Sequence, residues 1–178
     1  MKKNLAMRHS FSHKIIEILN THFGDDADYI FENSPLIGYL NTKTKSAGKG
    51  SKARGAFANH YALYVIIEDY INKGYADNPQ IDYSDYEGAK FSDLLKRQRT
   101  LPFGAKLQNH ALNDRLNSEF KKFYPVLGKT PIVRDVEKQR YWVQEDLLKI
   151  SIKDKNGIDS EINLSKVIIQ IIDEYVAT

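Results

Sequence analysis

The chain has 178 residues, with 26 Lys and Arg against 23 Asp and Glu, a net charge of +3 and no cysteine. That length builds one domain with a real core, and the missing thiols exclude disulfides, zinc–thiolate sites and thiol nucleophiles. No stretch approaches the ~20 consecutive apolar residues of a membrane span, and Met1 to Arg8 lacks the apolar run of a secretory signal, so the expectation is a cytoplasmic protein without membrane contact.

Phe11, Ile15, Ile18, Leu19 and His22 share one stripe, with Ser12 as cap and Gly24 as stop, which predicts a first amphipathic helix with His22 at the edge of the core. Tyr29 to Leu40 is apolar but broken by Ser34-Pro35, which favours a short helix beginning at Pro35. Residues 42–55 lack apolar periodicity and are expected to form a loop. This loop lies within an acid-free stretch from Asn33 to Ile67 and carries Lys43, Lys45, Lys49, Lys52 and Arg54. Cations without a nearby counter-charge suit a polyanion partner. A phosphate-cradling nucleotide loop fails on spacing, because Lys43 stands where the first Gly of such a loop belongs and Gly50 separates Lys49 from Ser51.

Phe57 to Ile71 is apolar nearly all round and closes on Asn72-Lys73-Gly74, the pattern of a central helix covered by others. Residues 77–88 are polar, with Pro79 and Gly88, and are expected to be a connecting loop. Ser92 should cap a short helix ending before Pro102. After the turn Pro102-Phe103-Gly104, the segment Lys106 to Tyr124 is helical, either as one helix or as a turn and a second helix from Leu112. Leu112, Leu116, Phe120 and Phe123 form its inner stripe, and His110, Asn113, Asn117 and Lys121 are expected opposite. Beyond Pro125 the runs Ile132 to Arg134 and Arg140 to Val143 predict a β-hairpin with a charged tip, and Ile150 to Ile162 a second one turning on Asn156-Gly157. A helix over Leu164 to Val176 closes the chain.

The resulting fold class is α+β and mostly helical. Residues 1–74 form a helical part and residues 89–178 a winged helix-turn-helix-like part with C-terminal β-hairpins and a closing helix, within one domain spanning 1–178. In a winged helix the longer helix enters the major groove and the hairpin touches the backbone or the minor groove. The segment from Lys106 to Lys121 offers Gln108, Asn109, His110, Asn113, Arg115 and Asn117, side chains that bond base edges, although amides are poor choices for a helix face that needs only to be soluble. Phosphate positioning would fall to Lys43, Lys45, Lys49, Lys52, Arg54, Lys96, Arg97, Arg99, Lys106, Lys121, Lys138 and Arg140. On this division, replacing Asn113 or Asn117 relaxes sequence preference, while replacing Lys49 or Lys52 weakens all duplexes alike.

A catalytic centre is not expected in the chain. The one Glu-x-Lys, Glu119-Phe120-Lys121 with Asp114 upstream, sits inside a helical pattern instead of at a strand end, where a metal-dependent nuclease would hold its acids. The alternatives are a complete small nuclease built on acids of 82–87 or 135–145, and a regulatory module whose basic loop docks an acidic protein.

Two segments, Gly50-Ser-Lys-Ala-Arg-Gly-Ala-Phe-Ala-Asn-His-Tyr and the run from Phe91-Ser-Asp-Leu-Leu-Lys-Arg-Gln through Leu107-Gln-Asn-His-Ala-Leu-Asn-Asp-Arg to Phe123, resemble in texture and order the N-terminal, DNA-recognising part of bacterial type II restriction endonucleases. The resemblance implies a domain that reads a short duplex site and is joined to a separate nuclease domain or subunit, making this chain a fragment of a longer enzyme or its recognition subunit. No cofactor is then expected here, with Mg2+ belonging only to the nuclease part. The implied partner is double-stranded DNA, with homodimerisation left open.

Overall fold

The computed structural model describes residues 8–47, 60–78, 80–98, 100 and 111–177. Three helices lead: α1 (Ser12–Phe23), α2 (Ala27–Asn33) and α3 (Pro35–Ala47). The central α4 (His60–Asn72) follows, then a two-residue strand β1 (Ala89–Lys90), α5 (Phe91–Gln98) and α6 (Ala111–Phe123). The hairpin β2 (Ile132–Asp135) and β3 (Arg140–Val143), a second hairpin β4 (Lys149–Lys153) and β5 (Asp159–Asn163), and α7 (Ser165–Ala177) complete the chain.

The expected central helix is central. Ala62, Leu63, Tyr64, Val65, Ile66, Ile67 and Tyr70 are all buried, and α4 touches α5, α6, α7, β1 and β3. One apolar cluster runs from α1 through α4 and the sheet to α7, where Val167, Ile168, Ile171, Ile172 and Tyr175 are buried as the period of the closing helix predicts.

Helix α3 continues through Thr42 to Ala47, six residues into the expected loop. Local bonds carry it there: the Thr42 hydroxyl donates to the Gly38 carbonyl at 3.2 Å and the Thr44 hydroxyl to the Asn41 carbonyl at 2.8 Å. Ser12 is the first residue of α1 and not its cap. Its buried hydroxyl accepts from the His9 amide and donates to the Asn41 side chain at 2.7 Å, tying α1 to α3. His22 is exposed and bonds the Gln170 side chain at 2.8 Å.

The connection 74–88 is held by tyrosines. Tyr75 and Tyr86 stack at 5.0 Å, and both contact Tyr70 and Tyr83. The Tyr86 hydroxyl donates to Asp69 at 2.5 Å, the Tyr70 hydroxyl to Glu145 at 3.0 Å and the Tyr83 hydroxyl to the Val143 carbonyl. Burial pushes the Tyr70, Tyr83 and Tyr86 phenols up, and the neighbouring carboxylates add to this at each, so all three stay neutral donors.

This anchored connection delivers Gly88 and β1 to the edge of β3 away from β2. The first sheet is antiparallel in the order β1-β3-β2, and β4 and β5 form a separate two-stranded sheet. Ala89 faces Tyr141, Lys90 faces Arg140, Arg134 faces Tyr141 and Asp135 faces Arg140. Side chains alternate across a strand, so Ala89, Ile132, Arg134, Tyr141 and Val143 share the inner face, leaving Lys90, Val133, Asp135, Arg140 and Trp142 on the outer one. In the second hairpin the Asp154 carboxylate accepts from the Asn156 and Ile158 amides, and Gly157 at φ 77° completes the turn at the position the Asn-Gly signal marks.

Candidate nucleic-acid interface

Helix α6 turns Leu116 and Phe120 into the core and exposes Asp114, Arg115, Ser118, Lys121 and Lys122. Four of these are cationic or hydroxylic and one is acidic. Asp114 is partly answered by the Arg134 guanidinium at 3.8 Å. Among the described residues Arg115, Lys121 and Lys122 have no ion pair within 4.0 Å, and neither do Lys45, Lys96 and Lys138, all of them exposed.

Asn117 is not on this face, and that corrects the expected base reader. Its side-chain amide donates to the Ile132 carbonyl at 2.7 Å and accepts from the Ile132 amide at 3.0 Å. The neighbouring Pro131 carbonyl is bonded by the Gln144 amide, on the β3 side, at 2.9 Å. Because backbone groups alternate sides along a strand, Ile132 points away from β3, and Asn117 closes the free edge of β2 as another strand would. Its place beside the inner stripe, three residues before Phe120, was legible in the sequence, but its partner on β2 was not.

Two of the expected phosphate-binding cations are also committed within the fold. The Arg97 guanidinium grips Glu68 with Nε at 2.6 Å and Nη2 at 3.0 Å, fork to fork, joining α5 to α4, and donates to the Thr100 hydroxyl at 2.5 Å. The hydrogen bond that Arg97 donates to Glu68 holds this guanidinium's pKa above its ordinary value, against the opposing effect of burial. Lys43 pairs with Glu119 at 2.7 Å, over the rings of Tyr39 and Phe123, and the buried Tyr39 hydroxyl donates to the same carboxylate at 3.2 Å. The Glu119 of the lone Glu-x-Lys is thereby a link between α6 and α3.

Burial pushes the Glu119 carboxyl up, but the hydrogen bond and charge of Lys43, with the Tyr39 hydroxyl beside them, outweigh it and hold the group below the usual carboxylate range. A depressed carboxylate stabilises the fold above its unfolded pKa, and that contribution is lost as pH falls through the folded value. Glu119→Gln is therefore expected to narrow the gap between urea midpoints measured at about pH 6 and about pH 3. An unchanged gap would mean the pair contributes nothing to acid stability.

Arg140 donates to the Gly88 carbonyl at 3.2 Å and lies 3.9 Å from Glu87, so it is anchored with part of its guanidinium outward. Lys49, Lys52, Arg54, Arg99, Lys106, Gln108, Asn109 and His110 lie outside the described residues, as does the Asn113 side chain. The structure thus brings Arg115, Ser118, Lys121 and Lys122 together on α6. Lys90, which the sequence reading missed because a two-residue strand has no detectable period, faces Arg140 on the outer sheet face with Lys138 in the adjoining turn.

Among the described residues no group of three or more His, Asp or Glu could hold a metal ion. No described helix is long and apolar enough to cross a membrane. Comparison with protein families, with curated proteins and with solved structures finds no match to this chain.

Proposed function

We propose that the chain binds duplex DNA specifically as a winged-helix domain, and that it serves as the recognition domain or subunit of a type II restriction endonuclease. The path from α4 to β3 carries the reading. It runs helix, short strand, helix, helix, hairpin, with β1 added on the far side of β3 to give the order β1-β3-β2, the order of elements that aims one helix at a major groove and a hairpin at the backbone. On that arrangement α6 presents Arg115 and Ser118 to base edges, while Lys121, Lys122 and Lys138 hold phosphates. The restriction assignment rests on the resemblance of residues 50–61 and 91–123.

Selection of bound duplexes from a random pool tests both parts, and an enriched short motif is the expected result. Arg115→Ala should then cost about 1–2 kcal/mol of discrimination at one base position. Lys121→Ala and Lys122→Ala should weaken every duplex alike, each lowering the salt slope by about one. A pool that emerges unenriched, with no duplex retarded even at low salt, overturns the reading.

A further inference from the structure

A cleft of about 330 Å3 opens between the start of α5 and the β2–β3 turn, lined by Lys90, Phe91, Ser92, Leu95, Lys138, Gln139 and Arg140. Its lining gathers three cations, Lys90, Lys138 and Arg140. Lys90 and Arg140 are directly opposed across β1 and β3, and like charges so placed repel. The acids nearby answer Arg140 in part, and among the described residues none pairs with Lys90 or Lys138. The Asp135 carboxylate, opposite Arg140 on β2, accepts from the Lys138 amide at 3.1 Å, and Glu87 reaches only 3.9 Å from Arg140 with its side chain 82% exposed. Asp93, in the first turn of α5, is exposed.

The turn is shaped to bring Lys138 to the same place. Gln139 sits at φ 54°, the one described non-glycine residue at positive φ, a conformation that persists where surrounding bonds hold it. Those bonds are its carbonyl accepting from the Phe91 amide at 3.1 Å and its side chain donating to the Val136 carbonyl at 2.8 Å. The first of them seats the turn on the N-terminus of α5, where the amide dipoles favour negative charge and Ser92 contributes a hydroxyl. Phe91 and Leu95 give the cleft an apolar wall. Its volume is at the lower end of the roughly 300–1,000 Å3 of small-molecule sites, enough for a phosphate group with its sugar.

We propose that this cleft is a phosphate-binding site that takes one backbone phosphate of nucleic acid between Lys90, Lys138, Arg140 and Ser92. The inference deepens the proposed function and rests on it for the source of the phosphate, since a free nucleotide offers the same chemistry. Amide signals of the isotope-labelled full chain should be followed by NMR during titration with inorganic phosphate, a nucleoside monophosphate and a random duplex, in the wild type and in a Lys90→Ser/Lys138→Ser variant. Both lysines are exposed, and an unchanged thermal midpoint checks that the variant folds. The expected result is that the Ser92, Asp93 and Gln139 signals shift with all three ligands. The variant should lose the shifts with phosphate and bind the duplex about five- to tenfold more weakly at about 0.1 M salt. Duplex affinity within about twofold of wild type in the variant overturns the cleft while leaving DNA binding by α6 intact. Shifts with phosphate or nucleotide in a protein that retards no duplex uphold the cleft and overturn the DNA reading. Silence of these amides with every ligand overturns the cleft outright.

Discussion

Gly88→Ala is expected to destabilise the protein by about 2–5 kcal/mol, from left-handed strain of about 1–2 kcal/mol and overpacking of about 1–3 kcal/mol. Gly88 lies at φ +85°, and a methyl group there would meet the Tyr141 carbonyl oxygen at 2.9 Å, Trp142 Cε3 at 3.1 Å and Arg140 Cβ at 3.3 Å. The first of these is backbone in the middle of the sheet and cannot turn aside. Relief would require β1 to withdraw from β3, opening the Lys90–Arg140 register on which the phosphate cleft depends. Gly128→Ala is the matched comparison, since Gly128 has φ +73° with nothing within 4 Å of an added Cβ. Urea denaturation should show it losing only the strain, about 1–2 kcal/mol. Equal losses in the two variants would show that the close approach at Gly88 does not limit stability.

Asn117→Ala is expected to cost about 2–3 kcal/mol, from two backbone groups at about 1–3 kcal/mol each, less what water recovers at a half-buried site. Asn117→Asp discriminates further. A carboxylate can still accept from the Ile132 amide but repels the Ile132 carbonyl, so its loss should be smaller at acid pH, where the carboxyl can donate, than at neutral pH. Neither substitution should change which duplexes are preferred, because the side chain faces β2 and not a groove. Relaxed sequence preference with a stability loss below about 0.5 kcal/mol would return Asn117 to base reading.

These two positions also mark how far the sequence can be read. The hairpin β2–β3, the Asn-Gly turn and the closing helix follow from short-range rules, because strand alternation, turn chemistry and helical period each act over a few residues. Helix α3 overran its predicted end since Thr42 and Thr44 found local carbonyl partners that propensity alone does not count. For the site, exposure of Arg115, Lys121, Lys122, Lys96 and Lys138 was legible from the polar phase of α5 and α6 and from the charged turn. The employment of Asn117, Arg97 and Lys43 was not legible, since each partner, Ile132, Glu68 and Glu119, comes from a different element.

The acid-free stretch from Asn33 to Ile67 illustrates the same division. Composition alone placed its cations away from acids in the chain, yet Lys43 is paired with Glu119, a residue far along the sequence. By itself, the sequence determined the longer helices, the two hairpins, the covered central helix and which cations lie on polar phases, because those depend on neighbours along the chain. Only the tertiary structure decided which of those cations stay outward, that β1 joins β3 through Gly88, and that Lys90, Lys138 and Arg140 converge at the start of α5. The reason is physical: a charge or amide satisfies itself with whatever group packing brings within about 3 Å, and packing joins residues that sequence separates.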